Sequence, residues 1–550
     1  MARKPRIPSV SHKDIEKRGY YDAIVVGAGA SGGLAAALLT EAGLDVLVLG
    51  GGRNAPFWRR PVSGLMTGAV EQLANPAALK WIHPKLAWKG RQWLKAAGKL
   101  RQPIQSACYA WETQPNGFVD DFDHPYETPD DKPYRWVRTR QLGGRMIVPA
   151  HGKQYLRHGA ADFTAEDGLS PRWPVTIDEM EPWYQLVERR LGLNGQKNGS
   201  PWVPDSYIAN PLEPDAAQTR LMDKIRAEWP AMAPMLGRYA EPMESLKAAR
   251  ATGRLHCREA AMGCRVQTTP DGNVEGVEFH DQAAGRRLSA KAPIVFLCAS
   301  TVESVRILLL SAEGGFLKHA SSQEGALGRY LMDHVSVKAE GIMSDGGVPA
   351  TDFNLGNCVY LPRFDRRSGS GDGNPRGYGM RVYQSPGPSG QSYFTAVCET
   401  ELLPRADNFI ALSDTVDAWG IPAVRITCSH GPLEKTSVEA QKRAIDDVAG
   451  LVDAEILAKD DTGSTPGGSI HEVGGARFGD DPKSSVLNPN NECWDAKGLY
   501  VTDGSAFPAV GLQNPTLTIL ALTARACSHA LRAQGHGQLE VDTLSAAQAS

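Results

Sequence analysis

The sequence predicts an α/β protein (α+β overall) organised on a Rossmann-like unit. Three observations predict it. Tyr21–Gly52 reads YDAIVVGAGASGGLAAALLTEAGLDVLVLGGG, which is an apolar strand, a glycine turn, a small-residue helix and a second apolar strand within about 30 residues. Ile294–Ser311, IVFLCASTVESVRILLLS, repeats strand, small-residue turn and apolar helix, as a strand returning to the same sheet would. Gly498–Asp503, GLYVTD, is a further buried strand that runs into Asp503-Gly504.

The first unit is Ala23–Val26 as strand, Leu34–Leu39 as helix, Gly43 as its stop and Val46–Leu49 as the second strand. Gly27 permits the tight turn. Gly29 lets backbone approach a pyrophosphate, and Gly32 lets helix and strand pack closely. With Ala30 and Ser31 between them, these residues open a helix whose free N–H groups and positive dipole suit phosphate. An ordinary tight turn is the alternative, and the strand–turn–helix–strand context favours the dinucleotide. One position departs from the pattern. An acidic residue normally ends the second strand and binds the ribose hydroxyls, but here stands Gly50, followed by Gly51, Gly52 and Arg53. Arg53, Asn54, backbone groups or water are the expected substitutes.

At 550 residues, 42 % hydrophobic and 22 % charged, the chain has room for two or more domains. A formal charge of −3 argues against a general nucleic-acid binder. Nine cysteines, an odd number, show no CxxC or Cys/His cluster of zinc spacing. Buried free thiols and no metal site are expected, with reduced assembly. No run of 18 apolar residues spans a membrane. The stretch MARKPRIPSVSHKDIEKRGYYD is basic but lacks an apolar signal core, so the cytoplasm is the default location.

Residues 54–135 read as a long excursion rich in Trp, Pro and basic residues. Within it Leu79–Arg101 sets Trp81, Trp88 and Trp93 among Lys and Arg. Packing of the tryptophans on the domain is favoured over docking to a membrane or partner. Arg138–Pro149, RTRQLGGRMIVP, is a second glycine turn, at Gly143-Gly144. Alone, it fits a close backbone approach or a simple turn equally well. Trp173–Gly195 is a helix that opens at Thr176 or Asp178 and stops at Gly192. Residues 341–410 are strands joined by Gly/Ser/Pro loops, with GSGDGNPRG as a loop tip. Near the end, Asn514 is placed as the N-cap of a helix over Leu517–Ala526, with Pro515 in its first turn.

GAGASGG near the start, LGGR at 142–145 and HEVGGARFG…LYVTDGSAFP…NPTLT near the end together resemble the glucose–methanol–choline (GMC) oxidoreductases, FAD flavoproteins. The resemblance covers nearly the whole chain. HPYETPDDKPYRWVR and QNPTLTILALTARA are most similar to the bacterial sugar-oxidising branch: glucoside 3-dehydrogenases, glycoside 3-oxidases and relatives of pyranose oxidase. The resemblance implies a Rossmann-like FAD-binding domain (15–150, 240–335 and 468–535). A discontinuous substrate-binding domain on an antiparallel sheet (151–239 and 336–467) completes it. It places His471 on the family's catalytic histidine and Asn514 on its His-or-Asn partner. It assigns flavin contacts to Gly143, Gly144, Met146, Met262, Asp503, Gly504, Thr516 and Leu517. Some relatives attach FAD through a histidine just after the LGG turn; here Arg145, Met146, Ile147 and Val148 follow, and His151 is the first histidine. Non-covalent FAD is therefore expected. The resemblance leaves oxygen, a quinone, or a cytochrome reached through a small partner subunit as electron acceptor. A signal-bearing partner would allow a periplasmic location, and a homo-oligomer stays open.

Oxidising a secondary alcohol removes a proton from O–H and a hydride from C–H. The proton needs a base, which suits histidine, and the developing alkoxide needs a hydrogen-bond donor. His471 is assigned as base and Asn514 as donor, while the helix after Pro515 would favour negative charge on a reduced flavin. His334, in RYLMDHVSV, reads equally as pocket or packing residue. Glu399 and Glu401 read as solvated or structural carboxylates rather than sugar ligands. The expected activity is oxidation of a sugar or glycoside hydroxyl, C3–OH to 3-keto. The alternatives are a GMC enzyme for aryl or sterol alcohols and a non-catalytic flavin-binding subunit. The glycine motif alone would also suit an NAD-dependent dehydrogenase.

Overall fold

The computed structural model describes residues 9–541, except 54–100, 109, 112–113, 115–116, 149–153, 242, 314, 316, 318–324, 344–357, 370, 372–375, 387–390 and 461. Asn54, His151, all but the last residue of Leu79–Arg101 and most of GSGDGNPRG lie outside the described residues. The principal elements run, in chain order, β1 (Ala23–Val26), α1 (Ala30–Glu41), β2 (Val46–Gly50), α2 (Ile177–Leu191), β3 (Met235–Leu236), β4 (Leu255–Glu259), β5 (Val295–Leu297) and α3 (Thr301–Ala312). They continue with β6 (His334–Met343), β7 (Val359–Leu361), β8 (Gly379–Pro386), β9 (Ser392–Glu401), α4 (Pro432–Leu451), β10 (Ala454–Lys459), β11 (Glu492–Cys493), β12 (Ala496–Val501) and α5 (Thr516–Ala533).

A strand covered on both faces must be apolar at every position. Each residue of β1 and β2 is buried, and so is each of β5. These strands form a six-stranded sheet in the order β11-β12-β5-β1-β2-β4, parallel except for β11. The stretch after Ile294 thus returns beside the first strand, with Val25 opposite Phe296. Beyond it β12 pairs with β5, Tyr500 opposite Phe296, although the two strands are about 200 residues apart in sequence.

A second six-stranded sheet, antiparallel, has the order β10-β6-β9-β8-β7-β3. Its strands alternate. In β9, Ala396 and Cys398 are fully buried in the core, while Tyr393, Thr395, Val397 and Glu399 line a cavity between the two sheets. Helix α4 covers the opposite face.

Helix α2 follows its local signals. Thr176 caps it, exchanging hydrogen bonds with Glu179, and Gly192 ends it at φ 64°. Helix α5 does not. It begins at Thr516, Pro515 stands at the cap position, and no side chain caps it. Asn514 is therefore not the N-cap: its amide is held by His471 and Arg381. The helix also runs on past Ala526, because Cys527, Ala530 and Leu531 keep its apolar face buried.

Gly27 has φ +106°, and a Cβ there would sit 2.1 Å from the Cys298 carbonyl oxygen of the neighbouring strand. Gly27→Ala is expected to destabilise the protein by about 3 kcal/mol or more, the range of severe single substitutions. Denaturant unfolding of parent and variant measures this.

Candidate active site

The sheets enclose a cavity of about 1450 Å³, larger than the roughly 300–1,000 Å³ of an ordinary small-molecule pocket. Three helices start at its wall: α1 behind Gly29, α3 behind Ser300 and α5 behind Pro515. None of the three has a side-chain cap. Their first N–H groups are thus left for something in the cavity, and all three dipoles put positive potential there. A dinucleotide carrying a pyrophosphate fits this donor set. The backbone makes room for it: Gly144, at φ +58°, lies so close to Gly29 that a Cβ on it would be 2.9 Å from the Gly29 Cα. Ser300 also holds an unusual backbone, φ 82° and ψ 150°.

Most of the expected cofactor residues meet here. Gly27, Gly29, Ala30, Ser31, Gly144, Met146, Met262, Asp503, Gly504 and Thr516 line the cavity. Gly32, Gly143 and Leu517 are not part of the lining. The Ser31 hydroxyl is engaged by Thr502 and Thr523 at 2.9 and 3.0 Å, which leaves its backbone N–H for a phosphate. Asp503 accepts from Ser304 and Ser505, and burial raises its pKa despite these bonds. Arg53 is exposed and is not part of the lining. A Cβ on Gly50 would be 2.5 Å from Leu142 Cδ2; the leucine occupies the space of the missing carboxylate. The charged groups in this part of the lining are Arg138, Arg140 and Glu303. Arg140 and Glu303 pair at 3.4 Å.

At the other end His471 and Asn514, 43 positions apart in sequence, come together: Nε2 of the imidazole is 3.1 Å from Nδ2 of the amide. Both line the cavity. Behind them His334 Nδ1 is 2.9 Å from His471 Nδ1, and His334 Nε2 is 2.8 Å from the Gly511 carbonyl oxygen. A carbonyl only accepts, so Nε2 of His334 carries the hydrogen and donates it to Gly511. Burial depresses the pKa of His334, so this imidazole is neutral and its Nδ1 accepts. His471 then donates through Nδ1–H, and its unprotonated Nε2 accepts from the Asn514 amide. The tautomer of the candidate base follows from a backbone carbonyl two residues removed in the chain of contacts.

Asp333 holds the two histidines in register. One carboxylate oxygen accepts from the backbone N–H of His334 at 2.8 Å and of His471 at 2.9 Å. Burial, with the Glu472 charge, pushes its pKa up to about 8, so it is protonated at neutral pH. Asp333, His334 and His471 have the proximity of a metal-ligand set, yet the two Nδ1 atoms share a hydrogen and the carboxyl takes two amides. Glu399 lies 4.0 Å from His471 Nδ1, too far for a hydrogen bond. Its partner is Arg381, which also donates to Asn514 Oδ1. Burial works against the Glu399 charge, but the Arg381 guanidinium outweighs it and holds the pKa at about 2.

Glu399 and Glu401 are buried and paired with Arg381 and Arg376, so of the solvated and structural readings the structural one holds, because the sheet and helix α4 enclose their strand. Arg381 and Asp333 carry no sequence signal that sets them apart from other charged residues on alternating strands and loops.

Residues 404–523 match the GMC oxidoreductase family. The chain is 27% identical over 464 residues to 2-methyl-1,2-propanediol dehydrogenase of Mycolicibacterium austroafricanum, covering 72% of this chain and 82% of that one. It is 25% identical to paromamine 6'-oxidase of Streptomyces fradiae, covering 93% and 90%. Aspergillus oryzae formate oxidase, solved in a study of FAD modification, superposes with a TM-score of 0.63 at 15% identity, over 94% of this chain and 99% of that one. The fold is that of this oxidase.

Asp333→Asn keeps the accepting oxygen and is expected to fold like the parent. Asp333→Leu strands two buried amides, at about 1–3 kcal/mol each. Since the folded pKa lies above the ordinary 3.8, the stability contributed by Asp333 is full below that value and declines as pH rises through about 8. Thermal melts between about pH 6 and pH 9 should therefore fall less steeply for Asp333→Asn than for the parent.

Proposed function

From a chain whose residues 404–523 are of GMC oxidoreductase type, we propose an FAD-dependent enzyme that oxidises a secondary hydroxyl of a sugar or glycoside, at C3, to the ketone. The observation that carries this is the meeting of the His471 Nε2 lone pair and the Asn514 amide on the wall of the cavity that three uncapped helix N-termini face. When bound, FAD supplies the hydride acceptor. Gly29, Ala30, Gly144, Ser300 and Thr516 would hold it by backbone groups, and Arg140 and Glu303 stand at the end where Gly50 lacks a carboxylate.

The alcohol displaces the Asn514 N–H from His471 Nε2, which then takes the hydroxyl proton. Asn514 donates from Nδ2 to the same oxygen as its negative charge grows, which favours the transition state over the bound alcohol. The buried Arg381–Glu399 pair and the protonated Asp333 add no free charge beside the base. The substrate wall is the inner face of the antiparallel sheet. Arg381, Tyr383, Tyr393 and Thr395 line it, with Lys338 and Glu340 further out. This mixture of aromatic rings and fixed donors and acceptors suits a polyhydroxylated ring. The C3 position rests on the resemblance of HPYETPDDKPYRWVR and QNPTLTILALTARA to the sugar-oxidising branch. A small non-sugar diol is the second reading, favoured by the similarity to 2-methyl-1,2-propanediol dehydrogenase.

Anaerobic titration with a panel of glycosides, simple sugars and small diols tests the reading through loss of oxidised-flavin absorbance, with product analysis at C3. Bleaching by diols alone would replace the first reading with the second, and a protein that takes up no FAD would end both. Acid precipitation is expected to release the flavin into the supernatant. His471→Ala should retain flavin while its reduction slows by about 10²–10⁴-fold.

A further inference from the structure

We propose that Arg381 is the positioning residue that sets which way the Asn514 amide faces, and so makes it a donor to the reacting oxygen. An amide can stand in either of two orientations, and only its hydrogen-bond partners distinguish them. Arginine has five donors and no acceptor. Its NH2 group meets one terminal atom of Asn514, so that atom is Oδ1 and the NH2 of the amide turns to His471.

The opposite end of the chain of contacts demands the same result. The Gly511 carbonyl fixes His334, His334 fixes His471, and His471 reaches Asn514 as an acceptor at Nε2. A donor-only guanidinium and an acceptor-only carbonyl therefore impose one polarity from both ends. One N–H of Asn514 meets His471, and the second is left for the alcohol oxygen. Arg381 is itself held: its other terminal nitrogen pairs with Glu399, and the guanidinium lies 5.6 Å from the centre of the Tyr360 ring. Both charged groups are buried. That expense is unexplained by packing alone, since a buried ion pair is seldom a net gain over apolar residues. Without Arg381 only His471 holds the amide, so the turned orientation gains population. Oδ1 would then face His471 Nε2 and the substrate oxygen, repelling both and favouring a proton on Nε2.

The kinetic part of the test rests on the proposed alcohol oxidation; the spectroscopic part does not. Arg381→Met is combined with Glu399→Gln so that no charge is stranded, and Arg381→Lys is the conservative variant. For the substrate identified by flavin bleaching, the double variant should slow flavin reduction by about 10–100-fold, below the about 10²–10³-fold of deleting a donor outright. Its saturation constant should move less than about 3-fold, and Arg381→Lys should recover part of the rate. In an Asn514→Ala background the same change should cost almost nothing further, because Arg381 acts through the amide. Full additivity would overturn the proposal. Independently, the ¹⁵N spectrum of histidine-labelled protein, with His471 assigned by His471→Gln, should show an unprotonated Nε2 in the parent at neutral pH. In the double variant the Nε2 signal should move toward that of a protonated nitrogen. An unchanged Nε2 signal overturns the proposal whether or not any glycoside is a substrate.

Discussion

The constraint on which this site depends is the polarity of a short run of hydrogen bonds. Each histidine and amide in it has two ways to be protonated or turned, so the run as a whole could point either way. A backbone carbonyl at Gly511 and a guanidinium at Arg381 remove the choice. What results is an imidazole with its lone pair toward the cavity and an amide with its hydrogens there. Preorganisation of this kind lowers a barrier because no dipole has to turn as the charge develops.

The ionisable groups around the pair serve the same end. His334 and Asp333 are buried and neutral, while Glu399 is buried and charged but neutralised by Arg381. The surroundings of His471 thus contain hydrogen-bonding capacity without unbalanced charge. At the far end the logic is reversed. Two helix N-termini there, those of α1 and α3, and that of α5 beside Asn514 carry no side-chain cap, which is costly in an empty protein and stabilising around an anion. The close contact of the Gly29 and Gly144 loops brings two of the glycine turns to the same place.

Much of this was legible. A glycine turn after a buried strand locates a nucleotide site because few other sequences permit the φ of Gly27 and its contact with Cys298. Thr176, Glu179 and Gly192 mark a helix by purely local bonds, and the helix obeys them. Asn514 shows where local reading fails. As a residue before Pro-Thr it has the form of a cap, yet its amide makes better bonds with His471 and Arg381, which lie far away in sequence. Arg53 follows the glycine turn in sequence, yet it is exposed and outside the cavity lining. Glu399 reads as a solvated or a structural carboxylate until a guanidinium from the adjacent strand is placed against it.

The sequence by itself determined where the strands and glycine turns fall, because the period of apolar residues and the allowed φ values are local properties. It also determined that His471 and Asn514 were the residues to watch, through the resemblance of their motifs. Only the tertiary structure decided what they face. The tautomer of His471, the orientation of Asn514 and the charge states of Asp333 and Glu399 depend on Gly511, His334 and Arg381. Those groups come from separate stretches of chain, and their contacts arise only when the two sheets close around the cavity.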